Sequence, residues 1–192
     1  PVDQRVLVDN EATLVDTFAT PDSDNTIDFH SATYFLRYSG SLQVVRAVDS
    51  SALNSRATTG QLNIDSDNSL STPIIKNEND FLAQKANLDI ASHTLIAKYP
   101  GELGNALEVS VCPADGTLFS AWPYNSSFDK APSTSSYATA RSAQNDEIHI
   151  AVVDKTGAFT GTAGTVVETF PYVSQGKNAL NPDGTNNYVV DV

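Results

Sequence analysis

Hydrophobic positions along the first fifty residues follow two periods. Val6-Leu7-Val8 is a short apolar run that reads as a strand. Leu14, Val15 and Phe18 then fall on one face at helical spacing. This predicts a helix over about 11–18, with Asn10 as its cap, Glu11 in a first turn that favours a carboxylate, and Pro21 just beyond the stop. Ile27, Ser31, Tyr34, Phe35 and Tyr38 trace a second stripe. It predicts a core-facing helix over about 25–39, with Asp24 as cap and Gly40 as stop. Residues 42–48, Leu-Gln-Val-Val-Arg-Ala-Val, read as a strand apolar on both faces, which suggests a central, covered place in a sheet. Strand, helix, helix, strand is half of an α/β layer unit. Alone it buries little and wants a larger sheet.

The pattern changes after Asp49. Residues 50–79 are rich in Ser, Asn, Asp and Thr with little periodicity, as in a linker or long surface excursion. A short helix over about 80–87, capped by Asn77 or Asn79 and turning Phe81 and Leu82 inward, follows. Beyond it the chain reads as β-rich. Strands are expected over Thr94–Tyr99, through Leu107, Val109 and Val111, through Ile148, Ile150 and Val152, over Thr165–Phe170 as a hairpin partner, and over Tyr188–Val192. In two of these strands the intervening residues, Glu108, Ser110 and Cys112, and Glu147, His149 and Ala151, mark the outward side. Pro100-Gly101, Gly104-Asn105 and Asp154 to Gly157 are turn signals. The fold class expected is α+β: a partial α/β core unit, then a two-layer β-sandwich with short helices.

Composition narrows the function. Eleven basic residues against 23 acidic give a net charge of −12 and leave no clustered cations to displace counterions from phosphates. Nucleic acid and anionic membrane surfaces are therefore disfavoured as partners. No apolar run approaches membrane-spanning length, and no signal peptide opens the chain. A single cysteine, Cys112, excludes an intramolecular disulfide and fits synthesis in a reducing cytosol. The chain contains no Met and begins at Pro1, and its last expected strand has no stop signal. Both features suggest a fragment.

Candidate chemistry is sparse. Asp-Ser-Asp-Asn occurs at 22–25 and at 65–68, without the glycine or later glutamate of a calcium loop; capping and loop solvation explain it better. Gly157, Gly161 and Gly164 lack the Gly-Lys-Ser/Thr and helix of a phosphate loop and read as turn residues. His30, His93 and His149 have no paired-ligand spacing, and His149 is expected at a solvated or edge position. No G-x-S-x-G elbow supports a serine hydrolase. Asn125-Ser126-Ser127 is a formal sequon read as a loop. No catalytic, cofactor-binding or metal-binding residue is assigned, no cofactor is expected, and the chain is not expected to be an enzyme.

Two stretches carry a resemblance. Leu14-Val15-Asp16-Thr17-Phe18, the aromatic helix with Tyr34-Phe35-Leu36, and Leu42 through Asp49 form the first. Ile96-Ala97-Lys98-Tyr99-Pro100-Gly101-Glu102-Leu103-Gly104-Asn105, with the strand after it, forms the second. Together with Ile148–Val153, Val167–Phe170 and Tyr188-Val189-Val190, they resemble the tail sheath proteins of contractile bacteriophages, most closely the large T-even-type subunits. The resemblance implies that residues 1–49 open a conserved core domain and residues 50–192 form an outward-facing domain inserted into it. It also implies that the C-terminal part of the core and the arms linking neighbours are absent. Function would be structural: subunits polymerise around the tail tube and contract to drive it through the host envelope. Partners would be other sheath subunits, the tube and the baseplate, in the virion tail, after synthesis in the host cytoplasm; the fragment itself is expected to be monomeric. Two rivals remain: a carbohydrate- or host-surface-binding β-sandwich using Trp122 and Tyr124, and a hydrolase with a fold-assembled Ser, His and Asp.

Overall fold

The computed structural model describes residues 2–57, 74–84 and 95–190. These fall into two compact units, one within residues 2–105 and one within 106–190. Helices and antiparallel strands are mixed, as an α+β fold requires.

The first unit opens with β1 (Arg5–Val8), α1 (Glu11–Phe18), α2 (Thr26–Leu36) and β2 (Leu42–Val45). Asn10 caps α1 as expected: its side chain accepts from the Thr13 N–H at 2.9 Å. Before α2 the expected cap by Asp24 is not made: Asn25 holds the cap position without a side-chain cap bond. Asp22 Oδ1, not Asp24, accepts from the N–H groups of Asp24 and Asn25, while Asn25 turns its side chain back onto the Asp22 N–H. Thr26 Oγ1 also donates to the Asp22 carbonyl. Asp-Ser-Asp-Asn at 22–25 is thus a side-chain-closed turn leading into α2; its second copy, at 65–68, lies outside the described residues. Gly40 follows α2 where a Cβ would sit 3.2 Å from the Asp9 carbonyl oxygen, a close approach that favours glycine.

β1 and β2 pair antiparallel, Val8 opposite Leu42 and Arg5 opposite Val45. Among the described residues these two strands are the whole of their sheet. The expectation of a central, covered strand is therefore corrected. β2 lies in a two-stranded ribbon, its burial alternates, and Val45 is 57% exposed. Val6, Val8, Leu42 and Val44 form the more buried face, and Val8 and Leu14 close its centre.

A second cluster in this unit is organised by Asn54, which is buried. Its Oδ1 accepts from the Ile75 N–H at 2.9 Å, and its Nδ2 donates to the carbonyls of Ile75 at 2.8 Å and Ala97 at 2.9 Å. One side-chain amide so replaces a missing ladder rung between three segments. Beside it the Val2 N–H donates to the Lys76 carbonyl, and β3 (Arg56–Ala57) pairs with β4 (Leu95–Ile96). Of the strand expected over 94–99, Thr94 lies outside the described residues and the part after Ile96 is not strand, because the turn at Pro100-Gly101 begins early: the Gly101 N–H donates to Leu53 and the Arg46 guanidinium to the Pro100 carbonyl, at 2.9 Å each. α3 (Glu78–Gln84) is capped by Asn77, whose side chain accepts from the Asp80 N–H. Leu82 points outward, 60% exposed, against expectation; no described element lies over that side of so short a helix.

The second unit is a three-stranded antiparallel sheet in the order β5 (Leu107–Pro113), β6 (Glu147–Asp154), β7 (Thr165–Ser174). Its described strands lie in this single sheet. Short helices α4 (Gly116–Ala121) and α5 (Ser136–Thr139), with a 3-10 turn over Asn125–Ser127, take the place of a second sheet. β7 carries two extra residues relative to β6, giving one bulge opposite His149 and another at Val167. The expected final strand is reduced to an isolated parallel bridge between Tyr188 and Ser174. Residues 189–190 form a turn, because Asn186 and Asn187 spend their side chains on the Tyr188 N–H and the Tyr172 carbonyl. Residues 191–192 lie outside the described residues.

Asp154, fully buried at the end of β6, anchors the β6–β7 hairpin. Its carboxylate accepts from the N–H groups of Gly157, Phe159 and Thr160, at 2.8–2.9 Å, and from the Thr160 hydroxyl. Gly157, Gly161 and Gly164 take φ values of 80–85°, the turn role expected of them. Burial pushes the Asp154 carboxyl up, but the donors from Thr160, Phe159 and Gly157 outweigh it and hold it below the usual carboxylate range. Asp146 is balanced alike: burial raises it, and the hydroxyls of Ser174 and Ser135 with the Ser135 N–H bring it down.

Two outcomes are expected. Asn54→Ala strands the buried Ile75 N–H and carbonyl and should cost about 2–6 kcal/mol in urea unfolding followed by far-UV circular dichroism, at about 1–3 kcal/mol for each unpaired group. The depressed carboxyl of Asp154 stabilises the fold above the unfolded-state value and loses that contribution as pH falls through the folded one. Wild-type stability should therefore drop as pH falls below the usual carboxylate range, and Asp154→Asn should start lower and show a shallower acid limb in thermal melts.

Candidate assembly surface and aromatic clasp

α2 was expected to turn Ile27, Ser31, Tyr34, Phe35 and Tyr38 inward, and this is corrected. At 100° per residue the stripe lies opposite a second one, Phe29, Ala32, Thr33 and Leu36. The second stripe is the partly or fully buried one, with Thr33 at its centre. The first faces solvent: Ile27 is 81% and Tyr38, just past the helix, 90% exposed, with Tyr34 and Phe35 between them. The helix is apolar on both sides, and a two-stranded ribbon covers only one. The ribbon repeats the condition, since Leu7 and Val45 share its other face and both are exposed. The Arg37 guanidinium, 5.0 Å from the Tyr34 ring centre, is the one cation set against this stripe among the described residues.

In the second unit the side of the sheet expected to face water is covered. Cys112, Ser110 and Glu108 of β5 stand opposite His149, Ala151 and Val153 of β6 and share that face. The segment from α4 through residue 130 lies over it. Asp115 starts α4 by accepting from the N–H groups of Thr117 and Leu118. Trp122 Nε1 then donates to Ser110 Oγ at 2.9 Å, and the Tyr124 hydroxyl reaches Glu108 at 3.4 Å. Trp122 packs edge-on to Tyr124 and against Phe128, at centroid separations of 5.7 and 5.2 Å. The alternation that marks β5 as half-exposed is real, but its polar side chains are the hooks that hold an aromatic cover. Trp122 and Tyr124 are thus committed to the sheet.

His149 is fully buried under this cover, not solvated as its place on the polar side of β6 suggests. Phe128 stacks on the imidazole at 4.3 Å and 11°, Tyr172 meets it edge-on at 4.6 Å, and Phe119 lies at 5.8 Å. Its Nε2 is 2.8 Å from the Lys130 carbonyl oxygen, and its Nδ1 accepts from the Tyr172 N–H at 3.1 Å. That N–H exists as an orphan because of the bulge. Two residues of β7, Pro171 and Tyr172, oppose His149; Pro171 has no N–H, and Tyr172 takes φ 57° and aims its own out of the ladder. The Tyr172 hydroxyl donates to Asp129; burial, with that bond second, pushes the phenol up to about 12.

Neither ring nitrogen of His149 is available to activate a nucleophile. His30 is exposed on α2, edge-on to Phe29, and His93 lies outside the described residues. Cys112 is buried, which pushes its thiol up with Asp115 adding to the effect, so it is a poor nucleophile. Asn125 of the sequon sits in the 3-10 turn and donates to the Ser120 carbonyl. Among the described residues no group of His, Cys, Asp and Glu is arranged to hold a metal ion. Periodicity marks the α2 stripe as apolar, though not as exposed; the clasp on His149 has no local signal beyond an unusual density of aromatics between residues 119 and 128.

A curated relative, the tail sheath protein of Salmonella phage ViI, is 36% identical over 156 residues, which is 81% of this chain and 21% of that protein. The chain thus spans about a fifth of the length of the relative it matches. No protein-family model and no solved structure matches it. The chain belongs with the phage tail sheath proteins, matching one part of a much longer relative.

Proposed function

We propose that the chain is part of the structural subunit of a contractile phage tail sheath and works by packing, not by catalysis. The observation that carries this reading is the double-sided α2. A helix apolar on two opposite sides has more to bury than one ribbon can cover, and its outer stripe, with Leu7 and Val45 on the ribbon, has no cover among the described residues. Kinship with a sheath protein supplies the kind of body.

In this reading residues 1–49 open the α/β core, which the rest of a full-length subunit closes over Ile27, Tyr34, Phe35 and Tyr38. Residues 50–192 belong to a domain inserted into that core and facing outward, where 15 acidic residues against 8 basic ones keep a crowded surface soluble. Complete subunits assemble with one another around the tail tube and meet the baseplate. Contraction is a collective rigid-body change between two packings of one subunit, and its site is the virion tail.

Antibody raised against this chain should decorate contractile tails in regular rows along their length by electron microscopy; label confined to capsids or fibre tips would sink the reading. Ile27→Asp and Tyr38→Asp, at positions already in water, should change the unfolding free energy of the 192-residue chain, read from urea titration, by no more than about 0.5 kcal/mol. The same changes in a complete subunit should prevent sheath polymer from pelleting.

A further inference from the structure

We propose that His149 is a proton-sensitive latch, holding the bulged end of β7 and residues 128–130 on the sheet only while its imidazole is neutral. This does not rest on the sheath reading. The ring makes two hydrogen bonds of opposite sense, both to main chain. Nδ1 receives the Tyr172 N–H, so Nε2 carries the proton and donates it to the Lys130 carbonyl. A second proton has one place to go, Nδ1, where it meets the Tyr172 N–H donor head-on. Tyr172 cannot turn to another rung, because the bulge has already taken its N–H out of the ladder and Pro171 beside it offers nothing to exchange.

The surroundings do not rescue the charged ring. Ionisable groups on the elements packed against it are Asp115 at the start of α4, Glu108 and Cys112 on β5, Asp129 and Lys130 after the 3-10 turn, Glu147 and Asp154 on β6, and Glu168 and Tyr172 on β7. None places a charged atom in hydrogen-bond contact with the imidazole. Asp129, the nearest carboxylate along the clasp, accepts from the Tyr172 hydroxyl, and the Lys130 ammonium lies 5.3 Å from the Tyr172 ring centre. The Phe128 face would attract a cation, but it supplies no acceptor for the displaced amide. Charging a ring buried this completely also carries a desolvation penalty. Acid therefore favours the state in which the clasp has let go. Asp129, Asp146 and Asp154 are held below the usual carboxylate range and stay ionised through weakly acidic pH.

Trp122, the only tryptophan, packs on Phe128 and reports the clasp directly. The test is urea unfolding of the 192-residue chain followed by Trp122 fluorescence between pH 7.5 and 5.0, for wild type, His149→Asn and His149→Gln. Comparison with the non-titrating variants cancels His30 and His93. The wild-type unfolding constant should grow relative to either variant as pH falls, approaching about tenfold per pH unit at the acid end, the signature of one proton bound on opening. Parallel curves would overturn the latch. Should both variants fail to fold, nitrogen NMR of the wild-type ring decides. A neutral ring protonated on Nε2, with no folded imidazolium down to the unfolding pH, supports it. An imidazolium in a folded chain whose Tyr172 amide is still protected from exchange refutes it.

Discussion

A buried main-chain N–H has to find an acceptor, and in this chain side chains supply it wherever the small sheets run out. Asn54 serves both polar groups of Ile75, Asp154 collects three amides of the β6–β7 turn, and His149 takes the amide that the bulge expels from β7. Each is buried and each joins segments that few ladder bonds connect. An orphaned donor inside a protein costs about 1–3 kcal/mol. These three residues therefore do for two sparse sheets what longer strands do elsewhere: they fix where the loops sit.

The two units solve the problem of a thin sheet differently. In the second, β5 uses its own polar side chains as attachment points, so that Ser110 and Glu108 hold Trp122 and Tyr124 over a face that includes Cys112, Ala151 and Val153. In the first, no equivalent cover stands over the outer stripe of α2 among the described residues. One unit closes its faces with residues near in sequence; among the described residues the other leaves an apolar face open.

Much of the secondary structure was legible in periodicity and caps. Asn10, the turn at Gly157, the strands through Val109 and Ile150, and the strand–helix–helix–strand opening all appear where pattern places them, within a few residues. What was not legible has a common cause. Periodicity says that a face is apolar or polar and is silent about what lies over it. α2 carries two apolar stripes half a turn apart, so its pattern could not say which one meets the ribbon. The outward side of β5 and β6 is polar in sequence and covered in space, because Trp122 and Tyr124 carry polar atoms that satisfy it. The depth of His149 depends on a bulge in β7, and Pro171-Tyr172 announces that bulge only once its register against β6 is known. Asp24 does not cap α2, because Asp22 draws the Asp24 and Asn25 N–H groups into a turn that ends one residue before the helix.

The double bulge in β7 bears on crowding. Within the described residues β7 is the outer strand of its sheet, touched on its far side by the single bridge from Ser174 to Tyr188. An intact outer strand is a template on which a foreign strand can grow. Here the extra residues at Tyr172 and Val167 throw its donors and acceptors out of step twice within ten residues, and Pro171 removes one donor outright. A stranger approaching that border finds no run of evenly spaced partners. Many copies held side by side would thus keep their sheets separate, meeting through side chains and not by fusing backbones.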